Sequence, residues 1–450
     1  MTELAGRKVV VVGLAASGFA AAKVLLEEGA EVTVTESSST PEAEERAGTL
    51  RSVGAMVETG GHTLDPIEAD LAVVSPGIPP TAEVIRKLDE VGIPVVSEVE
   101  VASWLTDSDL LAVTGTNGKT TTTSLLASML EKGGIASVAA GNIGLPLIEA
   151  IRNVPADGAI AVEVSSFQLA FIDRFHARVA VLLNVAEDHM DWHGGLGPYA
   201  AAKARIFENQ SNDDAAVINL DDPIVMGLAA SAPGRQVTFS STATDPNASI
   251  RDGFLSWQGD PVVAVADLQL KGRAGWEDSL AAMAAALSYG IEIAAVRDAL
   301  LDFRPLGHRM QRIETIDGVT FIDDSKATNP HATLAAVAGL RDVILIAGGR
   351  SKGIDLSALT STVPPVTGVV AIGEATEEVL AVFGDVVPVA AAATMDEAVK
   401  LASDMSVPGG SVLLSPGCAS LDMYSSYAER GEAFARAVTD LGGKGRRDGD

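Results

Sequence analysis

Residues 110–123 read LLAVTGTNGKTTTT, an apolar segment followed by a glycine-rich turn and a run of threonines. The apolar residues 110–113 are typical of a buried parallel strand, and the residues after the turn predict a helix through Leu130. The turn consists of Gly115, Thr116, Asn117, Gly118, Lys119 and Thr120, and Thr121 follows it. It ends in the Gly-Lys-Thr of a phosphate-binding loop, although Val113 stands where the full pattern begins with glycine.

A loop of this kind has a defined chemistry. Its backbone N–H groups surround phosphate oxygens, a lysine such as Lys119 bridges two phosphates, and a hydroxyl such as that of Thr120 binds Mg²⁺. The alternative is a tight turn that binds no ligand. Because a strand precedes the loop and a helix follows it, the sequence favours a nucleoside triphosphate site.

Strand and helix patterns alternate on both sides of this stretch. Apolar strands are predicted at 9–12, 32–35, 71–74, 94–96, 159–163, 179–184, 343–346, 369–372, 386–389 and 412–414. At roughly 100–200 residues per domain, 450 residues suggest three α/β domains. We predict an N-terminal Rossmann-like parallel sheet (1–98), a central P-loop ATPase-like domain (99–303) and a C-terminal Rossmann-like domain (304–450). Short alternating runs between Arg235 and Leu270 predict a small antiparallel sheet in the central domain.

Composition and charge exclude several classes of protein. Sixty Asp and Glu against 32 Lys and Arg give a net charge of −28, a field that repels nucleic acid and anionic membranes. With 47% apolar residues the chain is not a disordered one. Cys418 is the single cysteine, so no internal disulfide forms and the cytoplasm is the expected compartment. Its thiol has no nameable catalytic base, which favours a packed side chain over a nucleophile. We expect a monomer that acts on small molecules.

Residues 9–22 are uncharged and have the length of a signal-peptide core. A buried strand and a helix are favoured instead, because a second apolar strand follows at βαβ spacing. The turn between them reads Gly13-Leu-Ala-Ala-Ser-Gly18, with Ala15 in place of the second glycine of a dinucleotide fingerprint. Ala15 weakens an NAD interpretation but leaves a helix N-terminus that can meet a diphosphate. Glu36 and the turn 75–77 end the next strands on the same rim. Alternatively, the two glycines serve only strand–helix packing.

Polar residues also follow later strands. Glu163 ends one strand, and residues 184–191 (NVAEDHMD) end the next. Acids and a histidine there suit Mg²⁺ near the phosphate loop, although such acids equally cap helices. Two C-terminal turns, residues 323–329 and 348–353, each present a lysine and hydroxyls. Singly they are ordinary loops, but together they can bind a dicarboxylate and a polyphosphate.

In this order the turns resemble the Mur ligase family over nearly the whole chain. The C-terminal motifs are residues 324–331 (DSKATNPH), 349–352 (GRSK) and 415–422 (SPGCASLD). They are similar to those of the D-glutamate-adding member, and the Asp-Asn-Pro-Arg type motif of diamino-acid-adding members is not found. The resemblance implies an ATP-dependent ligase of peptidoglycan precursor synthesis. It would join D-glutamate to UDP-N-acetylmuramoyl-L-alanine through an acyl phosphate, with Mg²⁺ at two sites.

The resemblance also implies roles for individual residues. The catalytic residues would be Lys119, Glu163, His189 and Lys203. ATP would be bound by residues 115–121 with Arg309, Asp324 and Lys326. The UDP substrate would be bound by Ala16, Ser17, Gly18, Glu36, Ser37, Ser75, Pro76, Gly77, Asn142 and His189. The metal would be bound by Thr120, Glu163, His189 and Lys203, the last as a carbamate. The acceptor would be held by Thr328, Lys352, Ser420 and Tyr427.

Two segments depart from the family pattern. Residues 275–278 (GWED) replace a His-Asn segment near the adenine, and Tyr427 replaces a phenylalanine beside the acceptor. Three other functions stay open at this point. They are an NAD-dependent oxidoreductase, a family ligase for another acceptor such as L-glutamate, and a catalytically inactive nucleotide-binding regulator.

Overall fold

The computed structural model describes residues 4–63, 68–243, 245–304 and 307–445. Its first part is a parallel sheet with strands in the order β3-β2-β1-β4-β5. The strands are β1 (Lys8–Val12), β2 (Glu31–Glu36), β3 (Met56–Thr59), β4 (Leu71–Val74) and β5 (Val95–Ser97), and the helices are α1 (Ala16–Glu27), α2 (Pro41–Ser52), α3 (Glu83–Glu90) and α4 (Glu98–Trp104). The uncharged segment 9–22 is therefore a strand and a helix, as predicted. The strand order reverses between β1 and β4, so the turn after β1 lies where such folds bind ligands.

The second part is a mixed sheet in the order β14-β13-β12-β11-β10-β9-β6-β8-β7. Its strands are β6 (Asp109–Thr114), β7 (Ser137–Gly141), β8 (Ala159–Glu163), β9 (Val179–Leu182), β10 (Ala215–Asn219), β11 (Arg235–Ser240), β12 (Ala248–Arg251), β13 (Phe254–Trp257) and β14 (Asp260–Ala264). Its helices are α5 (Lys119–Lys132), α6 (Leu147–Ala150), α7 (Ser166–Leu169), α8 (Met190–His193), α9 (Leu196–Ala204), α10 (Pro223–Ala229), α11 (Gly272–Tyr289) and α12 (Ile293–Asp302), with 3-10 turns at Ile151–Asn153 and Arg205–Phe207. Strand β6 pairs with both β8 and β9, which brings three strand ends together beside the phosphate loop.

The antiparallel sheet predicted after Arg235 is only partly correct: β12, β13 and β14 form antiparallel pairs, but β11 pairs parallel with β10, and all four strands extend the parallel sheet instead of forming a separate one. Strand β12 pairs parallel with β11 and antiparallel with β13, which in turn pairs antiparallel with β14. Asp252 and Gly253 join β12 to β13 with positive φ angles of 51° and 80°. Positive φ at both central residues suits the twist of a two-residue hairpin.

The third part is a sheet in the order β15-β16-β20-β17-β18-β19, in which only the β15–β16 pair is antiparallel among the described residues. The strands are β15 (Gln311–Ile316), β16 (Val319–Asp323), β17 (Val343–Gly348), β18 (Val366–Ile372), β19 (Val389–Ala392) and β20 (Ser411–Leu414). The helices are α13 (Pro330–Val337), α14 (Thr376–Phe383), α15 (Met395–Met405) and α16 (Tyr427–Gly445), with a 3-10 helix at Leu356–Thr362. Apolar clusters around Phe434 and Phe383 form the core of this part.

One predicted strand is displaced. The apolar run 386–389 was assigned to a strand, but β19 begins only at Val389, and Val386 is 48% exposed. Hydrophobicity alone does not separate a short strand from an adjoining apolar loop.

The chain divides into two compact units. The first comprises Met1–Val185, Gly197–Leu268 and Glu277–Phe303, and the second comprises Ala186–Leu196, Gln269–Trp276 and Arg304–Asp450. Across the four described stretches of chain, no helix has both the length and the apolar character that spanning a membrane requires.

Candidate active site

The phosphate loop lies between β6 and α5, as predicted. Gly118 precedes the helix with a φ of 84°, a conformation that favours glycine. A Cβ there would lie 2.1 Å from Asp278 Oδ1, so the close approach also requires glycine. Asp278 is 9% exposed and belongs to the segment that departs from the family pattern. That segment therefore reaches the phosphate loop itself.

Two lysine side chains converge on this loop. Lys119 Nζ donates hydrogen bonds of 2.8 Å to the carbonyls of Gly115 and Thr116. Lys203 Nζ donates to the Gly115 carbonyl as well, at 2.7 Å. Lys203 is 1% exposed, and its ammonium lies 4.6 Å from the Tyr199 ring centroid. The structure thus brings Lys203 to the loop from 88 residues away.

A second residue from outside the loop fixes its backbone. The Asn184 Oδ1 accepts from the Asn117 N–H at 2.8 Å, and its Nδ2 donates to the Asn117 carbonyl at 3.2 Å. This two-way contact holds Asn117 in one orientation. Asn184 belongs to the motif 184–191, but its role is not predictable from the sequence, because nothing local indicates that its amide reaches Asn117.

Glu163 has the surroundings of a metal ligand. The β6–β8 register pairs Glu163 with Val113, which places the carboxylate beside the start of the loop. Glu163 is 3% exposed; its Oε1 accepts from Asn142 Nδ2 at 2.8 Å, whereas Oε2 is buried without a hydrogen-bond partner. A buried carboxylate oxygen left unpartnered suits a bound cation.

The donor set around the loop fits magnesium better than a metal held only by protein. Within the described ranges, no group of three or more His, Cys, Asp or Glu side chains is arranged to hold an ion. Mg²⁺ commonly takes one or two carboxylates and completes its shell with water and phosphate oxygens. Glu163 and Thr120, which is half-buried in the first turn of α5, fit that pattern.

The turn after β1 is built differently. Gly13 has a φ of 94°, and a Cβ on Gly18 would lie 2.0 Å from the Gly13 carbonyl oxygen. Glu36 accepts from the Leu14 N–H at 2.7 Å and from the Ser38 N–H at 2.8 Å. Burial raises the pKa of Glu36, but these backbone hydrogen bonds, together with side-chain hydrogen bonds such as that from Ser37, outweigh burial and lower the pKa below its ordinary value.

The fold places the predicted UDP-substrate residues of this region on one edge of the first sheet. Residues 16–18 begin α1 after β1, Glu36 and Ser37 end β2, and residues 75–77 follow β4. Ser75 is buried and packs against Gly13 and Gly18. A Cβ added to either glycine would lie 2.7 Å from the Ser75 Oγ. Ala15 and Ala16 are exposed at the start of α1, where a helix N-terminus can meet a diphosphate.

In the second unit, Asp324 and Lys326 follow β16. Burial raises the pKa of Asp324 to about 7, and its Oδ2 accepts from Ser415 Oγ at 2.8 Å. The Lys326 ammonium lies 3.8 Å from the ring centroid of Tyr427, a cation–π contact between a predicted ATP residue and a predicted acceptor residue.

Arg430 is a buried residue that joins the turn after β16 to the turn after β20, and the sequence motifs did not predict this role. It is 2% exposed, and it donates to Ser325 Oγ at 2.9 Å, to the Ser325 carbonyl at 2.8 Å and to the Cys418 carbonyl at 3.0 Å. A sequence signal existed, because Arg430 shares the helical spacing of the buried Phe434 and Val438. The Cys418 thiol is 1% exposed, and burial raises its pKa to about 12, which confirms the packed side chain.

Lys352, a predicted acceptor residue, pairs with an acid. Its Nζ lies 2.9 Å from Asp188 Oδ1. Asp188 also accepts from Asn329 Nδ2 at 3.2 Å and from the His189 N–H at 3.0 Å. His189 therefore lies with Lys352 in the second unit, whereas Thr120, Glu163 and Lys203 lie in the first.

Comparisons with known proteins agree on one family. Three family models match: the Mur ligase MurD-like N-terminal domain at residues 7–97, the Mur ligase middle domain at 113–286 and the Mur ligase glutamate ligase domain at 308–418. UDP-N-acetylmuramoylalanine–D-glutamate ligase of Frankia casuarinae is 45% identical over 445 residues, 96% of this chain and 94% of the relative. The ligase of the same name from Geobacillus kaustophilus is 42% identical, over 97% of this chain and 98% of the relative.

A solved structure supports the fold alone. UDP-N-acetylmuramate-alanine ligase from Thermotoga maritima has a TM-score of 0.61 and 19% identity, covering 97% of this chain and 100% of that one.

Proposed function

Because this chain belongs to the Mur ligase family, we propose that it is an ATP-dependent ligase that adds D-glutamate to UDP-N-acetylmuramoyl-L-alanine in peptidoglycan synthesis. The observation that carries the substrate assignment is the 45% identity, over 96% of the chain, to a ligase of that name. The reaction forms an acyl phosphate on the alanyl carboxylate. The amine of D-glutamate then attacks the acyl carbon, and phosphate leaves.

The first unit provides for phosphoryl transfer. The N–H groups that open α5 meet the phosphates, and Lys119 exchanges its contacts with the Gly115 and Thr116 carbonyls for phosphate oxygens. The Asn184 clamp keeps the Asn117 backbone in place during that exchange. Phosphoryl transfer requires little covalent help, so positioning and charge neutralisation supply most of the rate.

Glu163 and Thr120 would hold magnesium beside this loop. A bound Mg²⁺ neutralises charge that develops on the phosphates. Asn142 donates to Glu163 Oε1 and thereby orients the free Oε2. We propose His189 as a ligand of a second ion. We also propose that His189 binds the UDP substrate, as do the residues named above at the edge of the first sheet.

We propose that Lys203 carries a carbamate. Its ammonium and that of Lys119 both contact the Gly115 carbonyl, so two like charges lie close together. The neutral amine of Lys203 would add to CO₂ and lose a proton to solvent, which gives an anion that attracts Lys119, while its remaining N–H can still donate to Gly115. The Tyr199 ring and the low exposure of Lys203 shield such a group from water.

The C-terminal part would bind the acceptor. Lys352 would pair with the side-chain carboxylate of glutamate, and Thr328 and Ser420 would donate hydrogen bonds. Arg309, Asp324 and Lys326 are proposed for ATP, and the Lys326 contact with Tyr427 links that group to the acceptor. We also propose that the three domains meet at residues 98 and 303, that the protein is a monomer and that it is located in the cytoplasm.

A phosphate-release assay with a panel of acceptors tests this function. D-Glutamate should support turnover, whereas L-glutamate, D-aspartate and D-glutamine should support little, because a misplaced amine or an uncharged side chain loses the required geometry. Lys352→Ala should raise the KM for D-glutamate at least tenfold. Preference for L-glutamate would contradict the acceptor assignment. Absence of phosphate release with every acceptor, when ATP and UDP-N-acetylmuramoyl-L-alanine are both present, would favour the catalytically inactive nucleotide-binding regulator.

A further inference from the structure

The ion pair between Asp188 and Lys352 lies largely out of solvent. The Lys352 Nζ is 2.9 Å from Asp188 Oδ1, and the two side chains are 13% and 8% exposed. Solvent screens such a pair far less than it screens a surface pair. Lys352 therefore has a strong internal carboxylate partner in this structure.

Neighbouring groups hold the Asp188 carboxylate in position. Asn329 Nδ2 donates to its Oδ2 and the His189 N–H donates to its Oδ1. Asn329 is itself fixed, because its Oδ1 accepts from the Ala332 N–H at the start of α13 and its side chain is 1% exposed. Asp188 is thus presented to Lys352 by a built set of contacts.

We propose that Asp188 is a specificity-determining residue that competes with the acceptor for Lys352. The Asp188 carboxylate pairs with the same Lys352 ammonium that would pair with the side-chain carboxylate of glutamate. Glutamate must therefore displace Asp188 from Lys352 when it binds. This inference rests on the proposed function, in which Lys352 anchors the acceptor. Binding then gains only the difference between two ion pairs, so Asp188 lowers the affinity for glutamate. An acceptor with an uncharged side chain has no charge with which to displace it.

Steady-state kinetics on the full chain test the competition. Asp188→Asn removes the charge and keeps the shape, and Asp404→Asn removes the same charge from an exposed position on α15. With saturating ATP and UDP-N-acetylmuramoyl-L-alanine, we expect the KM for D-glutamate to fall about tenfold in Asp188→Asn and to stay within about twofold in Asp404→Asn. A KM in Asp188→Asn that is unchanged or higher overturns the proposal.

A double variant separates this inference from the proposed function. In a Lys352→Ala background, adding Asp188→Asn should leave the KM for D-glutamate unchanged, because no ammonium remains to compete for. If Lys352→Ala alone does not raise this KM, the acceptor assignment fails and the competition fails with it. If it raises the KM but Asp188→Asn in the wild-type background does not lower it, only the competition is refuted.

A binding measurement, which needs no turnover, tests the proposal even if Asp188→Asn lowers the catalytic rate too far for reliable kinetics. With UDP-N-acetylmuramoyl-L-alanine and a non-hydrolysable ATP analogue present, D-glutamate should raise the Tm of Asp188→Asn more than that of the wild type. An equal or smaller rise contradicts the proposal.

Discussion

The turn after β1 and the turn after β6 both lead from a buried parallel strand into a helix, and each contains a glycine with positive φ, Gly13 at 94° and Gly118 at 84°. Their charges differ. In the first turn, the Glu36 carboxylate accepts from the Leu14 N–H. In the second, the ammonium groups of Lys119 and Lys203 both donate to the Gly115 carbonyl. The first turn uses part of its anion-binding capacity internally, and the second concentrates positive charge.

This difference shows that residues outside a glycine-rich turn set the charge that the turn presents. Glu36 lies 22 residues from Leu14, and Lys203 lies 88 residues from Gly115. The glycines account for the backbone path in both turns, so glycine spacing alone does not predict the charge that each turn presents. Changing the charged residues and the glycines separately tests this contrast.

The largest effect is expected for Lys119→Ala. The Lys119 ammonium would bind phosphate oxygens and contributes little to packing. ATP turnover should therefore fall at least 100-fold, with little change in Tm. Phosphate release and thermal unfolding, measured on the same sample, check both parts. Activity above roughly a tenth of the wild-type value would argue against the phosphate-loop assignment.

Lys203→Ala should also be nearly inactive, but it should respond to added anions. Short carboxylates such as formate or acetate can occupy the position of the proposed carbamate and restore part of the phosphate release. Lys119→Ala is the matched control. It should show no rescue, because this variant has lost an ammonium group, which a carboxylate cannot replace. Normal activity in Lys203→Ala would refute the carbamate.

In the first turn, a glycine should matter more for stability than for chemistry. A Cβ on Gly18 would lie 2.0 Å from the Gly13 carbonyl oxygen, whereas a Cβ on Gly77 meets nothing within 4 Å. Gly18→Ala should therefore lower the free energy of unfolding by about 1–3 kcal/mol, and Gly77→Ala by less than about 0.5 kcal/mol. Urea unfolding of both variants measures the difference. Equal losses would show that the turn tolerates the extra carbon.

The smallest effect is expected for Glu36→Gln, and it should depend on pH. Because the folded-state pKa of Glu36 is lowered, ionised Glu36 stabilises the fold above its unfolded pKa of about 4.3, and this contribution is lost as pH falls through the folded-state pKa. Glu36 is partly exposed, so solvent screening keeps the effect below about 1 kcal/mol at pH 7. The stability difference from wild type should shrink as the pH falls below about 4.3 and through the lowered folded-state pKa. A difference that does not vary between pH 7 and pH 3 would exclude this role.

The sequence by itself determined the strand–turn–helix units and the location of the phosphate loop. Residues 110–120 are read correctly because strand patterning, glycine at a left-handed position and the Gly-Lys-Thr ending are all local properties. The packed state of Cys418 was also predictable, because no catalytic base could be named for its thiol. The roles of Lys203 and Lys352 came from a resemblance, and nothing in their own neighbourhoods along the chain indicates what each contacts.

Only the tertiary structure decided which distant groups meet. It placed Lys203 on the Gly115 carbonyl, Asn184 on the Asn117 backbone and Asp188 on Lys352. It also joined the antiparallel strands β12–β14 to the parallel sheet. These contacts depend on strand order and on which strand ends become neighbours. Periodicity along the chain reports only which face of an element is buried, so it carries no information about the partner that covers that face.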